Sequence, residues 1–346
     1  MLLDLPVLRG TTTMGDTTMC AAQLVAPGRI EAVEATVPRP REGEVLVRSR
    51  RGSICGSDLH VLHDGFYRGT YPAAPGYPGH EGVGVVEDSR DPAFAPGDVV
   101  LAVPVPRDAR CFAQWQVVKA ASLIGLPRGA DPDRLLLAQQ LGTTIFAMRR
   151  FWPPAVAGPA EGRTVAICGA GSAGLFFTAL ARLADFSRIV VADRAPSRLD
   201  IAAEFGADVV VDVRRDSFVD AVMESTGGEG ADLVIEAVGY DETRVQCLQA
   251  VKTWGRVGYF GFPERPDGPS TWSYNDAWAR RPTIEHSHST QAEPGLTAFR
   301  EATDLIHSGA VDVTPFLDPV YPLARVAEAF EAARTQQGGK IAIDLR

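Results

Sequence analysis

Between about Met19 and Lys119 the apolar residues come in short runs, Val45 to Val47, Val83 to Glu87, Val99 to Val103 and Trp115 to Val118, each broken off by proline or glycine. Runs of that length with turn residues between them predict strands, and so an irregular, mostly β region. The pattern changes after the apolar segment Leu135 to Met148. β-Branched runs at Val165 to Cys168, Ile189 to Ala192, Val209 to Asp212, Leu233 to Ala237 and Arg256 to Phe260 then alternate with segments of helical spacing. Those segments are Leu175 to Ala184, Leu199 to Phe205, Phe218 to Glu224 and Thr243 to Val251. Such alternation predicts a parallel, doubly wound α/β sheet covered on both faces. Beyond Thr283 the spacing predicts helices over Leu296 to His307 and Leu323 to Thr335 and a last strand over Lys340 to Leu345. The first eighteen residues are polar, Thr-rich and aperiodic. They read as a flexible extension, with Met19 a candidate native start.

Composition narrows the class. A chain of 346 residues suggests two domains, and 45% hydrophobic with 22% charged residues is a soluble globular balance. A net charge of −9 argues against nucleic acid as a partner. The uncharged stretch Thr164 to Ala181 is long enough to suggest a membrane span, but Gly169, Gly171 and Gly174 in its middle point to a turn instead. No secretion signal or transit peptide is visible, and five widely spaced cysteines do not make a disulfide framework, so the expected setting is the reducing cytoplasm. Only Lys119, Lys252 and Lys340 among the 34 basic residues are lysines, which reads as a codon-usage bias.

Gly169-Ala170-Gly171-Ser172-Ala173-Gly174 is a GxGxxG that follows a β-branched strand and opens an apolar helix. Asp193 ends the next strand, nineteen residues after Gly174. That context predicts a dinucleotide site. The first glycine makes the tight turn, the second admits the pyrophosphate to the helix N-terminus, and the third lets helix and strand pack. An acid at Asp193 suits a ribose diol and repels a 2′-phosphate, favouring NAD over NADP, although Arg194 and Arg198 nearby pull the other way. Val238-Gly239 and Gly261-Phe262 end two later strands at the same sheet edge and are expected to line the cofactor cleft.

Cys55-Gly56-Ser57-Asp58-Leu59-His60 and Gly79-His80-Glu81-Gly82 lie in the β-rich part, with 25 positions from Cys55 to His80. A thiolate, an imidazole and a carboxylate held in loops make a plausible open zinc site. Taken singly, Cys55 reads as a small buried hydrophobe and His80 as a satisfied core histidine. His63 reads as an exposed loop residue. Glu285 is the sole carboxylate near His286 and His288, which argues against a second metal there. Trp272, Tyr274 and Trp278 lie on a stretch that reads as a loop and suit a pocket wall, an oligomer interface or ordinary packing equally well.

From about Met19 onward, CGSDLH, PGHEGVGVV, GAGSAG with its Asp, IEAVG and the closing PLARVAEAFEAARTQQGGKIAIDL follow in one order. In that order the chain resembles the zinc-dependent medium-chain dehydrogenase/reductase family, in its polyol, glucose and threonine dehydrogenase branch. The resemblance implies a GroES-like β-rich catalytic domain, residues 1–147 with 289–346, and a Rossmann-type domain, residues 148–288. It implies Cys55 and His80 as catalytic zinc ligands and Glu81 as the third. Gln139 falls where relatives carry a further Glu, Asp or Cys ligand, and a neutral amide is the weaker donor there. Asp58 is expected to orient His80, Ser57 to accept the substrate proton, His60 to pass it on through the cofactor ribose, and Thr143 to lie beside the nicotinamide. Only Val99 to Cys111 stand where relatives bind a structural zinc, with Cys111 the sole thiol, so one catalytic zinc and no structural zinc is expected. Cys111 then reads as an ordinary semi-buried residue.

The implied activity interconverts a secondary alcohol, a polyol, cyclitol or sugar hydroxyl, with its ketone through hydride transfer to or from NAD. The implied assembly is a homodimer or homotetramer with a small-molecule alcohol or ketone substrate and no membrane partner. Two other readings stay open: a zinc-free reductase of activated C=C bonds or quinones, and a nucleotide-binding scaffold or sensor without catalysis.

Overall fold

The computed structural model describes residues 17–335 and 339–346. The extension expected over the first eighteen residues lies outside the described residues as far as residue 16, and its last residue, Thr18, already opens a strand. The β-rich part pairs β1 (Thr18–Ala26) with β2 (Arg29–Thr36) as one antiparallel ribbon. A larger sheet is built on β3 (Glu44–Ser53), which pairs antiparallel with β4 (Gly82–Ser89) and with β6 (Trp115–Lys119). Outward from β4 come β5 (Val99–Ala102) and β7 (Leu123–Gly125). Late in the chain, β14 (Val320–Pro322) and β15 (Ala342–Asp344) return to this sheet, β15 lying antiparallel to β3.

The second sheet runs in the order β10-β9-β8-β11-β12-β13 and every pairing in it is parallel. Its strands are β8 (Thr164–Cys168), β9 (Arg188–Asp193), β10 (Val209–Asp212), β11 (Ala231–Glu236), β12 (Val251–Tyr259) and β13 (Thr283–His286). β8 and β11 are buried along nearly their whole length because helices cover both faces, which is why they read as unbroken apolar runs. The strand order reverses between β8 and β11, and ligands of such sheets bind beyond the strand ends at that reversal.

The helix Ala138–Phe151 joins the two sheets. Leu141, Ile145, Met148 and Phe151 enter one core with Phe176 and Phe177 of the helix Ser172–Leu183 and with Phe299 and Ile306 of the helix Thr297–His307. Its first two turns carry Gln139, Gln140 and Thr143, and Gln140 is brought within hydrogen-bond reach of Lys340. Three sequence expectations need correction. Gly56–His63 is helical where loops were expected, because the Asp58 carboxylate accepts the Cys55 backbone N–H at 2.9 Å and so caps the first turn. Tyr274–Arg280 is also a helix, opened by the Ser273 side chain accepting from Asp276 N. Cys111 is fully buried, in a cluster with Val45, Val47 and Val100, where a semi-buried position was expected.

Gly142 lies mid-helix, where alanine normally stabilises by about 1 kcal/mol. Here an added Cβ would sit 2.8 Å from the Phe299 Cα and closer still to its ring. Gly142→Ala is therefore expected to reverse the usual sign and destabilise by roughly 1–3 kcal/mol, read as a lowered midpoint in urea unfolding.

Candidate active site

Asp58 organises the residues that could hold a metal ion. Its Oδ2 accepts the backbone N–H of Cys55 at 2.9 Å and its Oδ1 accepts from His80 Nδ1 at 3.1 Å, with Asp58 itself 1% exposed. One carboxylate thus fixes the turn carrying the thiol and holds the proton on His80 Nδ1, so that it is Nε2 whose lone pair can face a metal once its own proton is lost. Donor atoms of Cys55, His80 and Glu81 lie within 4.8 Å of one another, the thiol half-buried and the other two buried. Thiolate, imidazole and carboxylate at that separation fit a divalent cation of the zinc type.

Glu81 is 1% exposed, and isolated burial would push its carboxyl up. Lys340 Nζ, 3.0 Å from Oε1 and 2.8 Å from Oε2, outweighs that, with His80 and a hydrogen bond from Ser53 Oγ, and holds it below the usual carboxylate range. Burial opposes the charge on Lys340 in turn, but Glu81 prevails and raises it. Burial likewise disfavours a charged His80, yet Asp58 and Cys55 raise it well above an ordinary histidine, so metal uptake there displaces a proton.

Lys340 Nζ also donates to Gln140 Oε1 at 3.0 Å, and the Ser172 hydroxyl approaches the same oxygen at 3.4 Å. Gln140 Nε2 donates to Thr143 Oγ1 at 3.2 Å. The metal cluster and the glycine turn are thereby connected through side chains. Sequence reasoning singled out neither Lys340 nor Gln140 nor Ser53 for this site. The available signal is the scarcity of lysine, three among 34 basic residues, which composition alone does not tie to a site. Gln139 is 1% exposed and its Nε2 has no partner, an orphan that a nearby ligand would answer.

At the nucleotide turn Gly169 has φ of 101°, a conformation glycine permits, and Gly171 caps the helix Ser172–Leu183, whose first turn holds Ala173 and Gly174. A Cβ at Gly174 would collide with the Gly169 carbonyl. Asp193 accepts Ala170 N at 2.7 Å and Ala195 N at 2.8 Å, locking the turn to the end of β9. Arg198 extends toward Gly171, and its buried Nε is without a partner; Arg194 is exposed. Beneath Val238 and Gly239, the buried Glu236 accepts both backbone N–H groups at 2.8 and 2.7 Å. Burial pushes Glu236 up more than those bonds pull it down.

Ser57 is half-buried in the first turn after Cys55. His60 bonds Asp64 through Nδ1 at 2.7 Å, and its ring stacks on Phe262 at 5.2 Å, with Phe66 completing the group. Phe262 follows β12, so this stack crosses from one sheet to the other, and Arg68 pairs with Asp267 beside it. His63, His286 and His288 are exposed. Trp272, Tyr274 and Trp278 are 48%, 66% and 68% exposed and far from packed. A cavity of about 400 Å³ lined by Pro38, Pro75, Pro104 and Trp115 lies elsewhere in the β-rich part.

A side-chain group able to hold a metal, connected to a glycine turn at the switch point of a parallel sheet, is an arrangement that comparison with known proteins assigns to a family. Residues 41–130 match the family model described as the alcohol dehydrogenase GroES-like domain, and residues 173–308 match that of the zinc-binding dehydrogenases. The chain is 28% identical to an alcohol dehydrogenase of Cupriavidus necator over 95% of this chain and 98% of that one. It is 27% identical to an L-threonine 3-dehydrogenase of Bacillus subtilis over 91% and 95% of the two chains. The solved alcohol dehydrogenase of Thermus sp. ATN1 superposes with a TM-score of 0.81 at 25% identity, covering 95% of this chain and all of that one. The chain belongs to the zinc-dependent medium-chain dehydrogenase superfamily.

All five cysteines are free thiols, but only Cys20 is exposed and only Cys55 is half-buried. Burial pushes Cys111 up to about 12 and Cys247 well above an ordinary thiol. With iodoacetamide at mildly alkaline pH, mass spectrometry is expected to find Cys20 and Cys55 alkylated and Cys111, Cys168 and Cys247 unmodified until the protein is denatured. Added zinc is expected to shield Cys55 alone; modification of Cys55 at an unchanged rate would remove it from the ligand set.

Proposed function

We propose that this protein interconverts a secondary alcohol, a polyol, cyclitol or sugar hydroxyl, with its ketone, using one zinc and NAD. The observation that carries the reading is the convergence of Cys55, His80 and Glu81 within 4.8 Å, with Glu81 linked through Lys340 and Gln140 to the glycine turn. Cys55, His80 and Glu81 would hold the zinc, with Gln139 the adjoining amide. When bound, zinc supplies Lewis-acid chemistry that lowers the pKa of a hydroxyl. Ser57 Oγ takes the hydroxyl proton and His60 Nε2 passes it to solvent, Asp64 fixing the tautomer through Nδ1. Thr143 would flank the nicotinamide, and its hydroxyl is fixed by the hydrogen bond it accepts from Gln140 Nε2.

Gly169, Gly171, Ser172, Ala173 and Gly174 cradle the pyrophosphate at the helix N-terminus. Asp193 spends two acceptor positions on backbone N–H groups and keeps others for a ribose diol, which supports NAD over NADP. Arg198 lies against that turn, and Val238, Gly239, Gly261 and Phe262 would wall the nicotinamide end. We assign residues 1–147 with 289–346 to the catalytic domain and 148–288 to the NAD domain. No helix among the described residues is long and apolar enough to cross a membrane, and we place the protein in the cytoplasm. The exposed Trp254 and Trp278, 72% and 68% accessible beside the edge of the parallel sheet, support assembly as a homodimer or homotetramer. Light scattering is expected to read a mass of two or four chains, and a monomer would refute the assembly.

A screen of polyols, cyclitols and sugars, followed as NAD reduction near about 340 nm, a wavelength set by the cofactor, is expected to find turnover that a chelator abolishes and zinc restores. Cys55→Ser is expected to lose turnover while still binding NADH. Chelator-resistant reduction of a quinone or activated alkene would favour the zinc-free reductase, and full activity in Cys55→Ser would remove zinc from the chemistry.

A further inference from the structure

Gln140 stands at the junction of the two halves of the site, and its amide is oriented by its neighbours. Lys340 has only donors, so the Gln140 atom 3.0 Å from it must be the oxygen, which turns the NH2 group toward Thr143. Two shared groups result. The Lys340 ammonium divides its donors between both oxygens of Glu81 and Gln140 Oε1, and Gln140 Oε1 receives both Lys340 and, at 3.4 Å, the Ser172 hydroxyl. Gln140 is 6% exposed and Lys340 4%, so neither can exchange a lost partner for bulk water.

We propose that Gln140 is a positioning residue that couples dinucleotide binding to metal binding, an inference that rests on the reading of function above. A pyrophosphate at the helix N-terminus gives the Ser172 hydroxyl an anionic acceptor and draws it off Gln140 Oε1. The freed oxygen takes a larger share of the Lys340 ammonium, whose hold on Glu81 slackens. The Glu81 carboxylate is then more available to a cation at the cluster with Cys55 and His80. The coupling is positive, and by linkage bound metal tightens the dinucleotide by the same factor.

The test is NADH binding, followed by the fluorescence of the bound dinucleotide, to the full-length protein with zinc and after chelation. Wild-type protein is expected to bind NADH roughly fivefold or more tightly when zinc is present. Gln140→Met keeps the length and volume of the side chain but removes the amide. It is expected to bind both ligands with the ratio of the two affinities within about twofold of one. Ser172→Ala, which cuts the far end of the chain of contacts and leaves the buried centre intact, is expected to weaken NADH in both states and to lower the ratio likewise. A wild-type ratio near one, or a wild-type ratio retained in either variant, would overturn the coupling while leaving the dehydrogenase reading standing. Wild-type protein that takes up neither zinc nor NADH would overturn both.

Discussion

A carboxylate enclosed in protein must have its charge answered nearby, and Glu81 is so enclosed. The answer comes from Lys340, 259 positions further along the chain and equally buried. Removing either partner would strand a charge away from water, a loss on the order of 3–5 kcal/mol for buried pairs. The pair therefore constrains everything around it. β15 must lie against β3 to deliver the lysine, Ser53 must end β3 to give Glu81 its hydrogen bond, and Gln140 must offer the third acceptor the ammonium needs. Lysine suits this place better than arginine, because a compact ammonium can address three acceptors in different directions where a planar fork cannot.

The cleft is organised from both sides by carboxylates that bind backbone N–H groups. Asp58 holds the turn of Cys55, Asp193 holds the turn of Ala170, and Glu236 holds Val238 and Gly239. In each case the side chain fixes a loop where chemistry is placed, so the loops need little packing of their own. The rings of His60, Phe66 and Phe262 add a direct contact between the segment after Cys55 and the end of β12.

Much of this was legible in the sequence. The alternation of β-branched runs and helical spacing located all five predicted strands of the parallel sheet, and GxGxxG with Asp193 at its distance marked the turn, because those features are local and each has one physical purpose. Cys55, His80 and Glu81 were legible as a group through their order within a family pattern. The helix Gly56–His63 was not, since its capping acid, Asp58, also looked like a partner for His80, and it serves both. Gln140 and Lys340 were invisible for a different reason. They are 200 positions apart, and neither residue type announces a role until the fold brings them within 3.0 Å.

The interleaving of the two sheets along the chain has an outcome for biogenesis. β14 and β15 follow the whole of the parallel sheet in sequence, yet they complete the sheet that bears Cys55 and His80. A ribosome therefore releases the parallel sheet as a finished unit while the other sheet still lacks two strands, and domains fold as they emerge. During that interval Glu81 has no lysine beside it, so the enclosure of its charge waits until translation has passed Lys340.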